Sequence, residues 1–174
     1  MKMNRAPENS FTISFTVDET PEQVFAAIKD VGAWWTAKVE GKVEKVGDEF
    51  TYRYEDKHYS KQKLAESIPG KKVVWLVLEE SNLSFTKNAG EWNGTKLCFD
   101  ISRKGKKTEV RFTHEGLVPA CECYEACSEG WSFYINDSLR ALITTGKGLR
   151  YGESTCPLPK LDHEAGREVC GERR

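Results

Sequence analysis

Residues 11 to 17, FTISFTV, alternate without a break: Phe11, Ile13, Phe15 and Val17 fall on one side, Thr12, Ser14 and Thr16 on the other. A period of two marks a half-buried strand. At Thr20 the period changes. Thr20 is placed to cap a helix, Pro21 fits its first position, and Gln23 completes a capping box, with Val24, Phe25 and Ile28 as the apolar side. Asp30 is expected to cap a second short turn that carries Val31, Trp34 and Trp35. Adjacent tryptophans cannot share one helix face, so one is expected in the core and the other beside a cavity or solvent.

From Val39 the pattern is that of strands. Val39 to Val46, Phe50 to Glu55, His58 to Ile68, Val73 to Leu78, Lys96 to Ile101 and Thr108 to His114 are separated by turn signals. The run VVWLVL at 73–78 is nearly continuous, as in a strand covered on both faces. The connection from Glu80 to Gly94 exceeds the usual length of about 2–5 residues, and it carries Phe85 and Trp92. Such a loop is either a satellite hydrophobic cluster or a binding loop.

Cys121 to Gly148 is the only long stretch of helical period. Tyr124, Cys127, Trp131, Tyr134, Ser138 and Leu142 recur at steps of three and four, and Gly146 and Gly148 close the segment. About 25 helical residues would reach roughly 37 Å. The order is strand, two short helices, six strands, one long helix. It indicates an α+β fold with an antiparallel sheet. Seven strands of one apolar parity need a cover, and only the 121–145 helix is long enough. A curved sheet of about seven strands wrapped around that helix is the expected solution.

Composition narrows the function. The chain has 174 residues, enough for one domain, expected at 1–148 with 149–174 as a surface extension. A net charge of -1 gives no electrostatic case for nucleic acid or an anionic membrane. No apolar run reaches the roughly 18 residues of a spanning helix, so no membrane insertion is expected. The opening MKMNRAPENS lacks the apolar centre of a signal peptide, which points to the cytoplasm and to reduced cysteines. Cys123 and Cys127 lie one helical turn apart, a workable ligand pair, but no second pair accompanies them, nor does Cys156, His163 or Cys170 form a metal pattern. No metal and no cofactor are expected. Phosphate-binding loops, GxSxG elbows and HExxH helices are absent.

The candidate site is aromatic. Tyr52, Tyr54, Trp75, Phe99, Phe112, Trp131 and Tyr134 fall at inward parities, with Trp34 or Trp35 nearby. Any one of them is more often plain core. As a set, bulky rigid rings under one helix are hard to pack without a gap. His114 ends a strand on its apolar parity, as a buried neutral histidine or as an anchor or base in a pocket. In the strand 58–68, Tyr59, Lys61, Lys63 and Ala65 read as the solvated side. His58, Gln62, Leu64, Glu66 and Ile68 are therefore expected inward, with Glu66 as a carboxylate facing the pocket or pairing at its mouth.

The segments TVDETPEQVFAAI at 16–28, VVWLV at 73–77, Glu91-Trp92 with Gly94-Thr95, FTHEGL at 112–117 and GWSFYINDSLRALITTGKG at 130–148 carry a resemblance. Their order resembles the helix-grip fold of the START-like (SRPBCC) superfamily. Within it the chain is similar to the group named after the activator of the ninety-kilodalton heat-shock protein's ATPase. The resemblance covers about residues 11–148. It implies a deep cavity between the concave sheet and the C-terminal helix. Relatives include lipid carriers, hormone receptors, cyclases and aromatases, and co-chaperones, and fold alone does not choose among them. The expected function is a START-like protein holding a small, mostly hydrophobic molecule. Its contacts would come from Trp34, Trp35, Tyr52, Tyr54, Glu66, Trp75, Phe99, Phe112, His114, Trp131 and Tyr134. The loop 80–94 would flank the entrance. Two alternatives stand beside it: a stress-related partner of a chaperone, with an exposed apolar or charged patch and a filled interior, and a cyclase-like enzyme using His114 or Glu66. Binding is favoured over catalysis, and no catalytic residue is named.

Overall fold

The computed structural model describes residues 9 to 151. β1 (Phe11–Val17) leads to α1 (Pro21–Lys29) and α2 (Val31–Trp34). Then follow β2 (Lys38–Gly41), β3 (Glu49–Tyr54), β4 (His58–Ile68), β5 (Lys72–Val77), β6 (Asn82–Leu83), β7 (Lys96–Lys104) and β8 (Lys107–Glu115). The C-terminal helix runs from Tyr124 to Thr145 as α3 (Tyr124–Trp131), a π-helical stretch (Ser132–Leu139) and α4 (Arg140–Thr145). The strands form one antiparallel sheet in the order β1-β8-β7-β5-β4-β3-β2, with β6 pairing β4 off this path. This is the α+β helix-grip arrangement. The additional short strand, β6, lies inside the long 80–94 connection.

Local chemistry accounts for the boundaries. The Thr20 hydroxyl accepts from the Gln23 amide at 3.1 Å, and the Gln23 side chain accepts from the Thr20 amide at 2.9 Å. Asp30 occupies the N-cap position of α2, but its side chain makes no capping bond. The strand expected over Val39 to Val46 stops at Gly41. The Asp48 carboxylate accepts from the amides of Glu44 and Lys45 and holds that segment in a turn, leaving Val46 exposed. Those two amide bonds, Lys45's first, also hold the Asp48 carboxyl below its ordinary pKa.

The inward parity read for β4 fails halfway along. Gln62 and Leu64 point into the core, but the register against β5 shifts between Leu64 and Glu66. The irregularity inverts the sides. Ser67 now lies opposite the buried Val73, and Glu66 lies opposite Val74 on the other face. Glu66 there pairs with Lys72 at 3.5 Å, and Ile68 is exposed.

Both neighbouring tryptophans are buried. Trp34 ends α2, and Trp35 leaves it with ψ near +72, so the two indoles stack at 6.1 Å and 12° rather than diverging. Trp75, Phe99 and Phe112 extend this layer along the sheet. The wider turn of the π-helical stretch brings Phe133, Tyr134, Ile135, Ser138 and Leu139 all inside.

Two glycines end the helix differently. Gly146 is left-handed at φ +88, with open space where a Cβ would be. At Gly148 a Cβ would strike the Ala33 carbonyl. Ser138 explains the close approach: its hydroxyl donates to the Trp34 carbonyl at 2.7 Å and accepts from the Leu149 amide at 2.8 Å. Gly148→Ala should therefore cost more than Gly146→Ala, with an overpacking loss of about 1–3 kcal/mol against a left-handed backbone strain of roughly 1 kcal/mol. Urea midpoints of the two variants check this; equal midpoints would refute the close contact. Leu149, Arg150 and Tyr151 pack against residues before 148, through the Ser138–Leu149 bond, a bridge of Arg150 with Thr36 and ring contacts of Tyr151. The rest of the expected extension, with Cys156, His163 and Cys170, lies outside the described residues.

Candidate functional site

A cavity of about 480 Å³ opens beneath α3. Trp35 at the end of α2 and Tyr52, Tyr54, Lys57 and His58 from the β3–β4 hairpin form one wall. The long connection contributes Phe85 and Trp92, and Tyr151 closes one side. The helix presents Ala126, Cys127, Gly130, Trp131 and Tyr134, a three- and four-residue spacing that puts small residues and rings on the same stripe.

The wall is mostly aromatic, and several rings are close to parallel. Trp35 stacks on Tyr52 at 4.1 Å and 17°, and Trp92 on Trp131 at 5.6 Å and 14°. The Tyr52 hydroxyl donates to the Tyr134 hydroxyl at 3.2 Å. Burial raises the pKa of both phenols, so both stay protonated. Phe85 and Tyr151 are half exposed at the rim.

The two histidines have different roles. His114 is wholly buried behind the wall. Its Nδ1 accepts from the Trp131 indole at 3.0 Å, and its Nε2 meets the Thr95 hydroxyl at 2.9 Å. Since an indole only donates, His114 carries its proton on Nε2 and gives it to Thr95, which donates on to the Trp92 carbonyl. His114 therefore ties the helix to the sheet. His58 does border the cavity, edge-on to Trp92 at 4.3 Å, and its buried Nε2 has no hydrogen-bond partner among the described residues. Burial pushes both imidazoles down to about 3, with the field of His58 adding at His114.

The 80–94 connection is fastened to the helix start. α3 has no side-chain cap of its own. Glu91 supplies one from the loop, accepting from the amides of Glu122 at 2.8 Å and Cys123 at 3.0 Å. Glu122 reciprocates, accepting from the amides of Lys87 and Asn88. Glu91→Ala removes the cap, worth about 1 kcal/mol, and amide exchange at Glu122, Cys123 and residues 85–92 should accelerate roughly fivefold. Unchanged exchange there would mean that the loop is held by packing alone.

Of the residues named from sequence, Trp35, Tyr52, Tyr54, Trp131 and Tyr134 border the cavity. Trp34, Trp75, Phe99 and Phe112 form the packed layer behind it, because Trp35 covers Trp34 and Trp75, and Trp131 covers Phe112. His114 is sealed by its partners, and Glu66 was carried away by the β4 irregularity. Lys57, Ala126, Gly130 and Tyr151 were missed as wall residues, and His58 and Cys127, read as inward and as part of the helix stripe, were not named as contacts. Three of these, Ala126, Cys127 and Gly130, share the helix stripe of Trp131 and Tyr134, a spacing that could have found them. Phe85 and Trp92 lie on the loop already singled out. Among the described residues, no cluster of three or more His, Cys, Asp or Glu side chains is gathered as a metal site requires, and no helix is long and apolar enough to cross a membrane.

The family model described as "Activator of Hsp90 ATPase homolog 1-like protein" matches residues 18–144. Among solved structures, the fold is similar to the Aha1 dimer from Colwellia psychrerythraea, with 22% identity over 80% of this chain and 98% of that one, at a TM-score of 0.65. It is also similar to DynU16, a putative protein in the dynemicin biosynthetic locus, with 13% identity over 83% of this chain and 51% of that one, at a TM-score of 0.61. MLL2253 from Mesorhizobium loti matches at 17% identity over 80% of this chain and 100% of that one, with a TM-score of 0.59. At these identities the likeness is one of fold. A comparison with curated protein sequences finds no match.

Proposed function

The chain belongs to the activator of Hsp90 ATPase homolog 1-like family, and from that membership and the space beneath its helix we propose a START-like binding protein for one small, flat, mostly apolar molecule. The observation that carries this reading is Gly130. Glycine inside a helix costs about 1 kcal/mol relative to alanine. A Cβ at Gly130 would meet nothing within 4 Å, so no packing contact requires the glycine. What it leaves is room in the cavity wall. The volume of about 480 Å³ falls in the range of about 300–1,000 Å³ usual for small-molecule sites. Near-parallel rings favour a flat ligand, and the Tyr52–Tyr134 pair with His58 offers polar contacts at its edge.

A chaperone-partner role had called for an exposed patch and a filled interior, and an open pocket of this size beneath the helix favours the ligand reading over it. The cyclase-like alternative had named His114 and Glu66, and neither borders the cavity. Native mass spectrometry of gently purified protein, with thermal shifts against a library of neutral aromatics, tests the proposal. One bound small molecule or a library hit supports it; neither, with the protein folded, would end it.

A further inference from the structure

Among the described cysteines, Cys127 alone borders the cavity. Cys98 lies on β7 at the opposite parity to the core residues Leu97 and Phe99, and burial pushes its thiol up to about 12. Cys127 stands in the first turns of α3, where the helix N-terminus favours a thiolate. The Trp92 indole donates to its sulfur at 3.4 Å. The neighbouring Cys123 thiol lowers the pKa of Cys127, and its own is raised. Burial and the Glu91 carboxylate oppose this, but the effect of the Cys123 thiol outweighs them. Cys123 keeps its proton, and Cys127 presents an electron-rich sulfur to an apolar chamber.

A second feature of the same wall points to a ligand. Against Trp92 stands His58, edge-on at 4.3 Å, an imidazole whose buried Nε2 has no partner among the described residues. A buried polar ring left unpaired calls for a group that completes it. In the neutral Nε2–H tautomer that nitrogen carries an N–H free to donate. The wall therefore joins a soft nucleophile, a hydrogen-bond donor and flat aromatic faces.

We propose that this cavity, read above as a ligand site, is a covalent capture site for flat, apolar α,β-unsaturated carbonyl compounds, with Cys127 Sγ as the nucleophile. The sulfur lone pair forms a C–S bond to the β-carbon. The C=C π bond breaks, and its electrons move toward the carbonyl as an enolate, whose oxygen accepts a hydrogen bond from the His58 N–H. The thiol proton ends on the α-carbon. Nothing leaves and nothing is oxidised, so the adduct weighs the protein plus the whole reagent.

The test uses the full chain at pH 7 with limiting phenyl vinyl ketone, read by peptide-resolved mass spectrometry, with Cys156 and Cys170 as reference thiols. Cys127 should be alkylated at least tenfold faster than Cys156, and saturated propiophenone should slow it. Gly130→Trp and Ala126→Leu, which narrow the chamber from the helix side, should each slow Cys127 at least tenfold and leave Cys156 unchanged. Labelling of Cys127 no faster than Cys156, or insensitive to both variants, overturns the proposal. If propiophenone raises the melting temperature while Cys127 stays unmodified by phenyl vinyl ketone, capture is wrong and reversible binding stands. If propiophenone neither binds nor protects and Cys127 is unmodified, both readings fall.

Discussion

Gly130→Trp is expected to abolish ligand binding while the protein stays folded, and Gly130→Ala to make the protein more stable. The two outcomes have one cause. The position lies in a helix, where glycine is the poorest ordinary former, and alanine should add up to about 1 kcal/mol. No neighbour stands within 4 Å of a Cβ there, so neither the backbone nor the core opposes the methyl group. A tryptophan side chain has only the cavity to enter. It would bury apolar area against Trp131 and Tyr134, which helps to offset its own loss of freedom. It would also take much of the roughly 480 Å³. Chemical denaturation and ligand titration of the same two variants separate stability from binding. If alanine destabilises, or if the tryptophan variant binds as the parent does, the glycine is not there to keep space.

The second large effect is acid sensitivity. His58 and His114 both have pKa values pushed down to about 3 by burial, against about 6.5 when unfolded. Below pH 6.5 the unfolded chain therefore binds more protons than the folded one. Stability is fully present above that pH and is lost as the pH falls toward 3. For two such groups the loss between pH 7 and pH 5 comes to about 3–4 kcal/mol, before most carboxylates titrate. The rings packed on the two imidazoles, Trp92, Trp131 and Tyr52, carry no charge in this window that could compensate. His58→Phe should halve the slope at little cost at pH 7, because the buried His58 Nε2 makes no hydrogen bond that phenylalanine would lose. Urea midpoints at pH 7, 6 and 5 measure both; a flat profile would mean that the imidazoles are reached by water.

The fold was legible because its signals are redundant. β1 alternates over seven residues, the capping box at Thr20 forms as spaced, and β7 and β8 keep the parities read for Leu97, Phe99, Val110 and Phe112. The site was legible only in part. Parity says that a side chain points inward, not whether another ring already occupies the space before it. Trp75, Phe99 and Phe112 point inward and meet the Trp34 indole, directly or through the same layer, rather than the cavity. One register shift in β4 was enough to turn Glu66 to the other face, and no turn residue announces it. Glycine and alanine carry no hydrophobic signal, so the small residues that create the opening were the hardest to see.

The central claim is that this space holds a flat apolar molecule. Titration with 6-propionyl-2-dimethylaminonaphthalene, a neutral flat dye whose emission moves to the blue in apolar surroundings, tests it most directly. The expected result is a blue-shifted, saturable signal at one dye per chain, with quenching of tryptophan fluorescence, and its loss in Gly130→Trp. No shift up to the solubility of the dye, or an equal shift in Gly130→Trp, would contradict it.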